Sequence, residues 1–195
     1  LAPGESLGVL QPPRRARVRR VGGPADRGVE VVPVAREPAA RMAAARGHRV
    51  IVVGRSPKKT AAVAAEIKAV HYAVDFADLG AVAQLAEELN KTLDHIDVLA
   101  NNAGTMFTPR QVSVDGFEKT FQVNHLAGFL LTQKLMPKLM ASEARVVHTS
   151  SIAAVRSRIH FDDLQLEQEY GPMRAYAHSK LANVLTAQEL QRRYG

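Results

Sequence analysis

The stretch RVIVVGRSPKKTAAVAAEIKA, residues 49–69, changes period in its middle, and that change decides the fold. Its first six residues form a short β-branched run of the kind found in a buried strand. From Ser56 the pattern turns helical: serine suits an N-cap, Pro57 suits the first turn, and the Ala-rich run that follows is an ordinary helix former. The same order repeats downstream. Residues 69–74 read as a strand, and after Asp78 the residues Leu79, Val82, Leu85 and Leu89 fall at helical spacing. Residues 96–104 give a third strand that stops in an Asn and Gly turn. A long helix is predicted from about Ser113, with Phe117, Phe121, Leu126 and Leu130 as candidate core positions. Residues 144–151 form a fourth strand, and Leu181, Val184 and Leu185 line a final helix. Such alternation predicts an α/β fold, a Rossmann-like doubly wound parallel sheet with helices on both faces. In that architecture ligands sit at the carboxyl ends of the strands.

Composition bounds the rest. A chain of 195 residues with 46% hydrophobic content can bury one sizeable core, so one domain is expected. The absence of cysteine excludes disulfides, thiolate metal sites and thiol catalysis, and fits a reducing, cytoplasmic setting. No apolar run approaches the roughly 18 residues of a membrane span, so a soluble protein is expected. Much of the net charge of +7 sits in one patch, Arg14, Arg15, Arg17, Arg19 and Arg20. No aromatic residues interleave with it, so nucleic-acid binding is not expected. The first 35 residues hold half of the ten prolines. Residues 1–28 read as a poorly structured Arg- and Pro-rich segment, and residues 29–195 as a partial Rossmann-like domain. His71, His125, His148 and His178 do not form a metal-ligand spacing, so no metal is expected; Phe121 and Phe129 read as core.

Tyr176 and Lys180 stand four residues apart in a helical stretch, which makes them neighbours on one face. A cation beside a phenol favours the phenolate and so suits acid/base work. The spacing alone also describes a solvated helix face. An ordered set surrounds it: NNAG at 101–104 closes a strand, VNHL at 123–126 lies in the next helix, HTSS at 148–151 closes the following strand, and YAHSK at 176–180 comes after.

From about residue 47 to 195 this set resembles the short-chain dehydrogenase/reductase family. DGFEKTFQVNHLAGFLLT, FDDL and AYAHSKLANVLTAQEL are similar to the branch holding retinol dehydrogenase-like and protochlorophyllide reductase-like enzymes. The resemblance implies an oxidoreductase that interconverts an alcohol with an aldehyde or ketone by hydride transfer. Tyr176 would be the acid/base and Lys180 would favour its phenolate and bind the nicotinamide ribose. Ser151 would hydrogen-bond the substrate oxygen, with Ser150 as the alternative hydroxyl. Asn124 would support a water-linked relay to Lys180 or, alternatively, only brace its helix. Asp75 would meet the adenine or, alternatively, start a helix; Asn102, Ala103 and Gly104 would form the turn against the adenosine ribose. Arg55, where NAD-selective sites carry an acid, suits a 2′-phosphate and favours NADP over NAD. The resemblance also implies a small-molecule alcohol or carbonyl substrate, dimers or tetramers, and further strands and a substrate lid beyond residue 195.

One element of the family pattern is missing. The family opens with a strand running into Thr-Gly-x-x-x-Gly-x-Gly, where backbone and helix N-terminus hold the pyrophosphate. Those positions are expected within residues 29–36, which contain no glycine, and Glu30 would set a negative charge near the phosphates. Two explanations stay open: a shifted reading frame or misplaced start upstream of about Arg36, or a relative that has lost cofactor binding and acts, if at all, through protein contacts.

Overall fold

The computed structural model describes residues 29–33 and 37–195. The Arg-rich segment therefore lies outside the described residues. Five strands form one parallel sheet: β1 (Val29–Pro33), β2 (Arg49–Gly54), β3 (Val70–Ala73), β4 (Val98–Asn101) and β5 (Arg145–His148), in the order β3-β2-β1-β4-β5. Helices α1 (Glu37–Ala45), α2 (Pro57–Ile67) and α3 (Leu79–Thr92) alternate with the first strands. The strand order reverses at β1, so the crevice for a ligand opens beyond the carboxyl ends of β1 and β4.

Strand β2 shows how one short run fills two cores. Val50 and Val52 pack with Ala40, Ala43, Val63 and Ala64 of α1 and α2, while Ile51 and Val53 face the cluster of Val82, Leu85 and Leu89 from α3. Alternation of side chains across the strand makes both faces apolar, and the doubly wound arrangement covers both. The caps follow the sequence reading: Ser56 Oγ accepts from Lys59 N, with Pro57 in the first turn of α2. Leu89 has no exposed surface, so Leu89→Ala is expected to lower unfolding free energy by about 2–5 kcal/mol, measured by urea denaturation.

The predicted long helix from Ser113 is divided. Gly116, at φ +86°, and the Ser113 N to Phe117 O hydrogen bond close a turn first. Glu118 then caps α4 (Lys119–Phe121), its carboxylate accepting from the backbone N–H groups of Thr120 and Phe121. A π turn, Gln122–Leu126, leads into α5 (Ala127–Ala141). The π turn moves the buried stripe, so Ala127, Leu131, Leu135 and Leu139 fill the core. Of the four positions expected there Phe121 is buried and Leu130 packs against the core at half burial, while Phe129, expected in the core, is exposed. The backbone of α5 also packs tightly on β4: a Cβ at Gly128 would lie 3.2 Å from the Asn101 side chain.

After β5, single turns of 3₁₀ helix at Ile152–Arg156 and Phe161–Asp163 precede α6 (Pro172–Tyr194). Its buried face is Ala175, His178, Ser179, Lys180, Ala182 and Asn183, whereas Leu185, expected on the apolar face, is exposed. Among the described residues no helix is long and apolar enough to cross a membrane.

The Glu30 expectation is corrected by register. Glu30 pairs with Val50 and Val98 inside β1, so it belongs to the strand and not to the loop that follows. Only Val34, Ala35 and Arg36 connect β1 to α1.

Candidate active site

The carboxyl ends of β4 and β5 and the first turns of α6 enclose a cleft of about 390 Å³. Asn102, Gly104, Thr105 and Met106 line it from the segment after β4, Thr149 from the end of β5, and Met173, Tyr176 and Lys180 from α6. Tyr176 and Lys180 are thus on one wall, with Lys180 Nζ 5.6 Å from the centre of the Tyr176 ring. Lys180 is buried, and its ammonium donates to the Thr149 carbonyl at 3.0 Å.

Gly104 lies against the same ammonium. A Cβ there would sit 3.3 Å from Lys180 Nζ and 3.7 Å from Asn124 Oδ1, so hydrogen at this position keeps the lysine open to the cleft. Asn124, in the π turn, is buried and fully used as a brace. Its Oδ1 accepts from Thr105 N at 2.7 Å, and its Nδ2 donates to Thr105 O and to Ser179 Oγ, both at 3.0 Å. Its side chain fixes the Gly104–Thr105 turn; its backbone carbonyl accepts from Asn183.

The two serines separate. Ser150 Oγ donates to the Lys180 carbonyl at 2.8 Å and so ties β5 to α6. Ser151 is the N-cap of the following 3₁₀ turn, accepting from Ala153 N at 3.3 Å, and it is not among the residues that line the cleft. Asn102 Oδ1 accepts from Thr149 Oγ1 at 2.8 Å, which joins the ends of β4 and β5.

The residues expected at a cofactor, Arg55 and Asp75, lie along the carboxyl edge of the sheet. Arg55 follows β2 directly and is exposed. Asp75 follows β3, is exposed, and accepts from Ala77 N at 3.0 Å; the helix start goes to Asp78, which accepts from Ala81 N. The described residues therefore fit the ribose end of a nicotinamide dinucleotide, where Gly104 leaves room beside Lys180. Residues 34–36, where the family pattern calls for the phosphate loop, lie outside the described residues and contain no glycine.

Behind this wall, His125 and His178 pack against Phe121. His178, between Tyr176 and Lys180 in sequence, packs edge-on against Phe121 with ring centres 4.9 Å apart, and it stacks on His160. Burial pushes His178 down to about 4, helped by the nearby His160, while the Arg158 backbone opposes this. Neither of its ring nitrogens has a partner of hydrogen-bond geometry. Burial likewise pushes His148 down to about 4, reinforced by His125, and lowers His125, against the hydrogen bond His125 makes to the Asn183 side-chain oxygen. Among the described residues no group of three or more acidic or imidazole side chains could hold a metal ion.

Sequence reasoning missed Thr149, Ser179 and Asn183. The signal for the last two was their helical spacing: Ser179, Lys180 and Asn183 fall on the face that carries Ala175, and polar residues on an inward face imply partners.

Known proteins resemble this chain in both sequence and fold. A family profile described as short chain dehydrogenase matches residues 36–163. A protein of Streptomyces sp. (strain C5) bearing the name of a daunorubicin C-13 ketoreductase is 43% identical over 164 residues, covering 80% of this chain and 56% of that protein. Human retinol dehydrogenase 11 is 41% identical over 162 residues, covering 79% of this chain and 51% of that protein. The chain thus spans about half the length of these curated relatives. A metagenomic short-chain oxidoreductase solved with NADP superposes with a TM-score of 0.66 at 25% identity, covering 85% of this chain and 77% of that one.

Proposed function

This chain belongs to the short chain dehydrogenase family, and from that premise we propose that it carries the proton-transfer and cofactor-ribose part of an NADP-dependent oxidoreductase interconverting an alcohol with an aldehyde or ketone. The observation that carries the reading is the convergence of Tyr176, Lys180 and Gly104 on one cleft at the carboxyl edge of a parallel sheet. Relatives named as a ketoreductase and a retinol dehydrogenase, and a fold neighbour solved with NADP, support the reaction class and the cofactor.

In the reductive direction the substrate carbonyl oxygen sits beside the Tyr176 hydroxyl. A nicotinamide held beside Lys180 and Gly104 would supply the hydride that the carbonyl carbon accepts. Tyr176 gives its proton to the oxygen, and the Lys180 ammonium stabilises the phenolate left behind. In oxidation the phenolate takes the hydroxyl proton instead. Lys180 is held for this role by the Thr149 carbonyl, and Asn124 holds the Gly104–Thr105 turn beside it. Ser151, at the mouth of the 3₁₀ turn, is the hydroxyl assigned to the substrate oxygen, since Ser150 is bound to the Lys180 carbonyl.

The test is a fluorescence titration of the chain with NADPH and NADH. Saturable NADPH binding at micromolar concentration supports the reading, and no saturation up to millimolar NADPH overturns it in favour of a non-catalytic relative. Arg55 decides the preference between the two. Arg55→Asp is expected to weaken NADPH and spare NADH, changing the ratio of the two dissociation constants by roughly tenfold or more, because a guanidinium facing the 2′-phosphate is replaced by a like charge.

A further inference from the structure

We propose that Asn183 is a positioning residue that sets where the Lys180 ammonium sits. Asn183 lies one turn beyond Lys180 on α6 and is 2% exposed. Its amide reaches three elements at once. Nδ2 donates to the Asn124 carbonyl in the π turn at 3.0 Å and to the Thr149 carbonyl at the end of β5 at 3.2 Å. Oδ1 lies 3.1 Å from His125 Nδ1, which calls for the ring proton on that nitrogen.

The Thr149 carbonyl is the point of contact. It accepts from Lys180 Nζ at 3.0 Å as well as from Asn183 Nδ2, so both of its lone pairs are engaged. Two donors on one oxygen lie within about 6 Å of each other, the range over which a charge on one position governs the other. Asn183 therefore decides which acceptors surround the ammonium. With its two donors in place, the Asn124 carbonyl is occupied and the Thr149 carbonyl is aimed at Lys180. Without them, the Asn124 carbonyl loses this donor and the Thr149 carbonyl keeps only Lys180, so the acceptor that seats Nζ is no longer held from its other side and Nζ moves from its place beside Tyr176. An amide is the side chain suited to this position: it offers two protons on one atom and an acceptor on the other. The consequence for turnover rests on the oxidoreductase reading above; the positioning itself does not.

The two changes that separate positioning from packing are Asn183→Leu and Asn183→Asp. Acetic anhydride at pH 8 is the probe, with the labelling rate of Lys180 read by peptide mass spectrometry and exposed Lys59 and Lys91 as internal standards. Leucine removes the donors, and Lys180 is expected to label several-fold faster as the ammonium leaves its seat. Aspartate also loses both donors, but it keeps an acceptor for His125 and sets a negative charge beside the ammonium, and Lys180 is expected to label roughly tenfold more slowly, because a neighbouring carboxylate holds the ammonium in place and in its protonated form. Mere loosening of the helix would speed labelling in both. Opposite changes in the two variants establish the positioning role; changes of the same sign, or no change in either, overturn it. Should the leucine variant fail to fold, Asn183→Ser takes its place, with the same expected increase. No cofactor or substrate enters the measurement. A chain that fails to bind NADPH would sink the oxidoreductase reading and leave this result standing.

Discussion

On the oxidoreductase reading proposed above, replacing Tyr176 with phenylalanine is expected to lower turnover of an alcohol substrate, with retinol as the one to assay, by roughly 10²- to 10⁴-fold, the range spanned by general acid–base catalysis. Retinol is the probe because one of the relatives is named for it. The substitution removes one oxygen and keeps the ring, which is half-buried beside Lys180. Folding and NADPH affinity are therefore expected to stay as they are, and the loss should appear in kcat. Undiminished turnover would take the proton transfer away from Tyr176. A fall in kcat accompanied by loss of NADPH binding would instead place the hydroxyl in the cofactor site.

Mild acid should destabilise the fold before any carboxylate matters. His148 and His178 are pushed down to about 4 from an ordinary value near 6.5, burial being the main cause in both. A folded-state value below the unfolded one means that the unfolded chain binds more protons between those limits. Stability is then complete above about pH 6.5, falls as the pH drops toward 4, and loses nothing further from these groups below that. At about 1.4 kcal/mol per pH unit per group, the loss is at most roughly 3 kcal/mol for each histidine. The check is the urea midpoint at pH 7.5, 6 and 5. His178→Phe preserves a ring against Phe121 and removes the titration, so its midpoint should fall less than that of the parent. Equal parental midpoints at pH 7.5 and 5 would show that neither ring is buried as described. The carboxylates held low by arginine or backbone partners, Glu189, Glu66 and Asp163, enter only below their own ordinary range.

Most of the architecture was legible from residues with a period. Val82, Leu85 and Leu89 announced α3, and the β-branched run Arg49–Gly54 announced a strand, which the structure buries on both faces. The π turn was not legible. A single extra residue in a helical run leaves no mark in apolar spacing that a loop would not also leave, so the stripe beyond it was read through Leu126 and Leu130, whereas Leu131 and Leu135 are its buried positions and Leu130 only flanks them. Helix α6 was misjudged for a different reason. Its inward face is polar and satisfied by partners on β5 and the π turn, and those partners are remote in sequence: Ser150 with Lys180, and Asn124 with Ser179 and Asn183. Tyr176, Lys180 and Gly104 were legible because the motifs that hold them stand in family order, whereas the bracing of Asn124 depends on a contact with Thr105 that only the folded chain creates. Glu30 was misplaced by counting back from β2, since counting does not reveal where a strand ends.

The π turn at Gln122–Leu126 carries one residue more than a regular helix of the same rise needs. Each residue of an α-helix advances the azimuth by about 100°, so the surplus rotates everything on its amino-terminal side relative to α5. Phe121 can then reach His178 while Ala127 and Leu131 face the sheet. Spacing is accordingly a constraint in its own right. A relative one residue shorter across this segment could keep every side chain named here and still aim Asn124 at the wrong neighbour, and so an alignment gap at this point says more about activity than a substitution beside it.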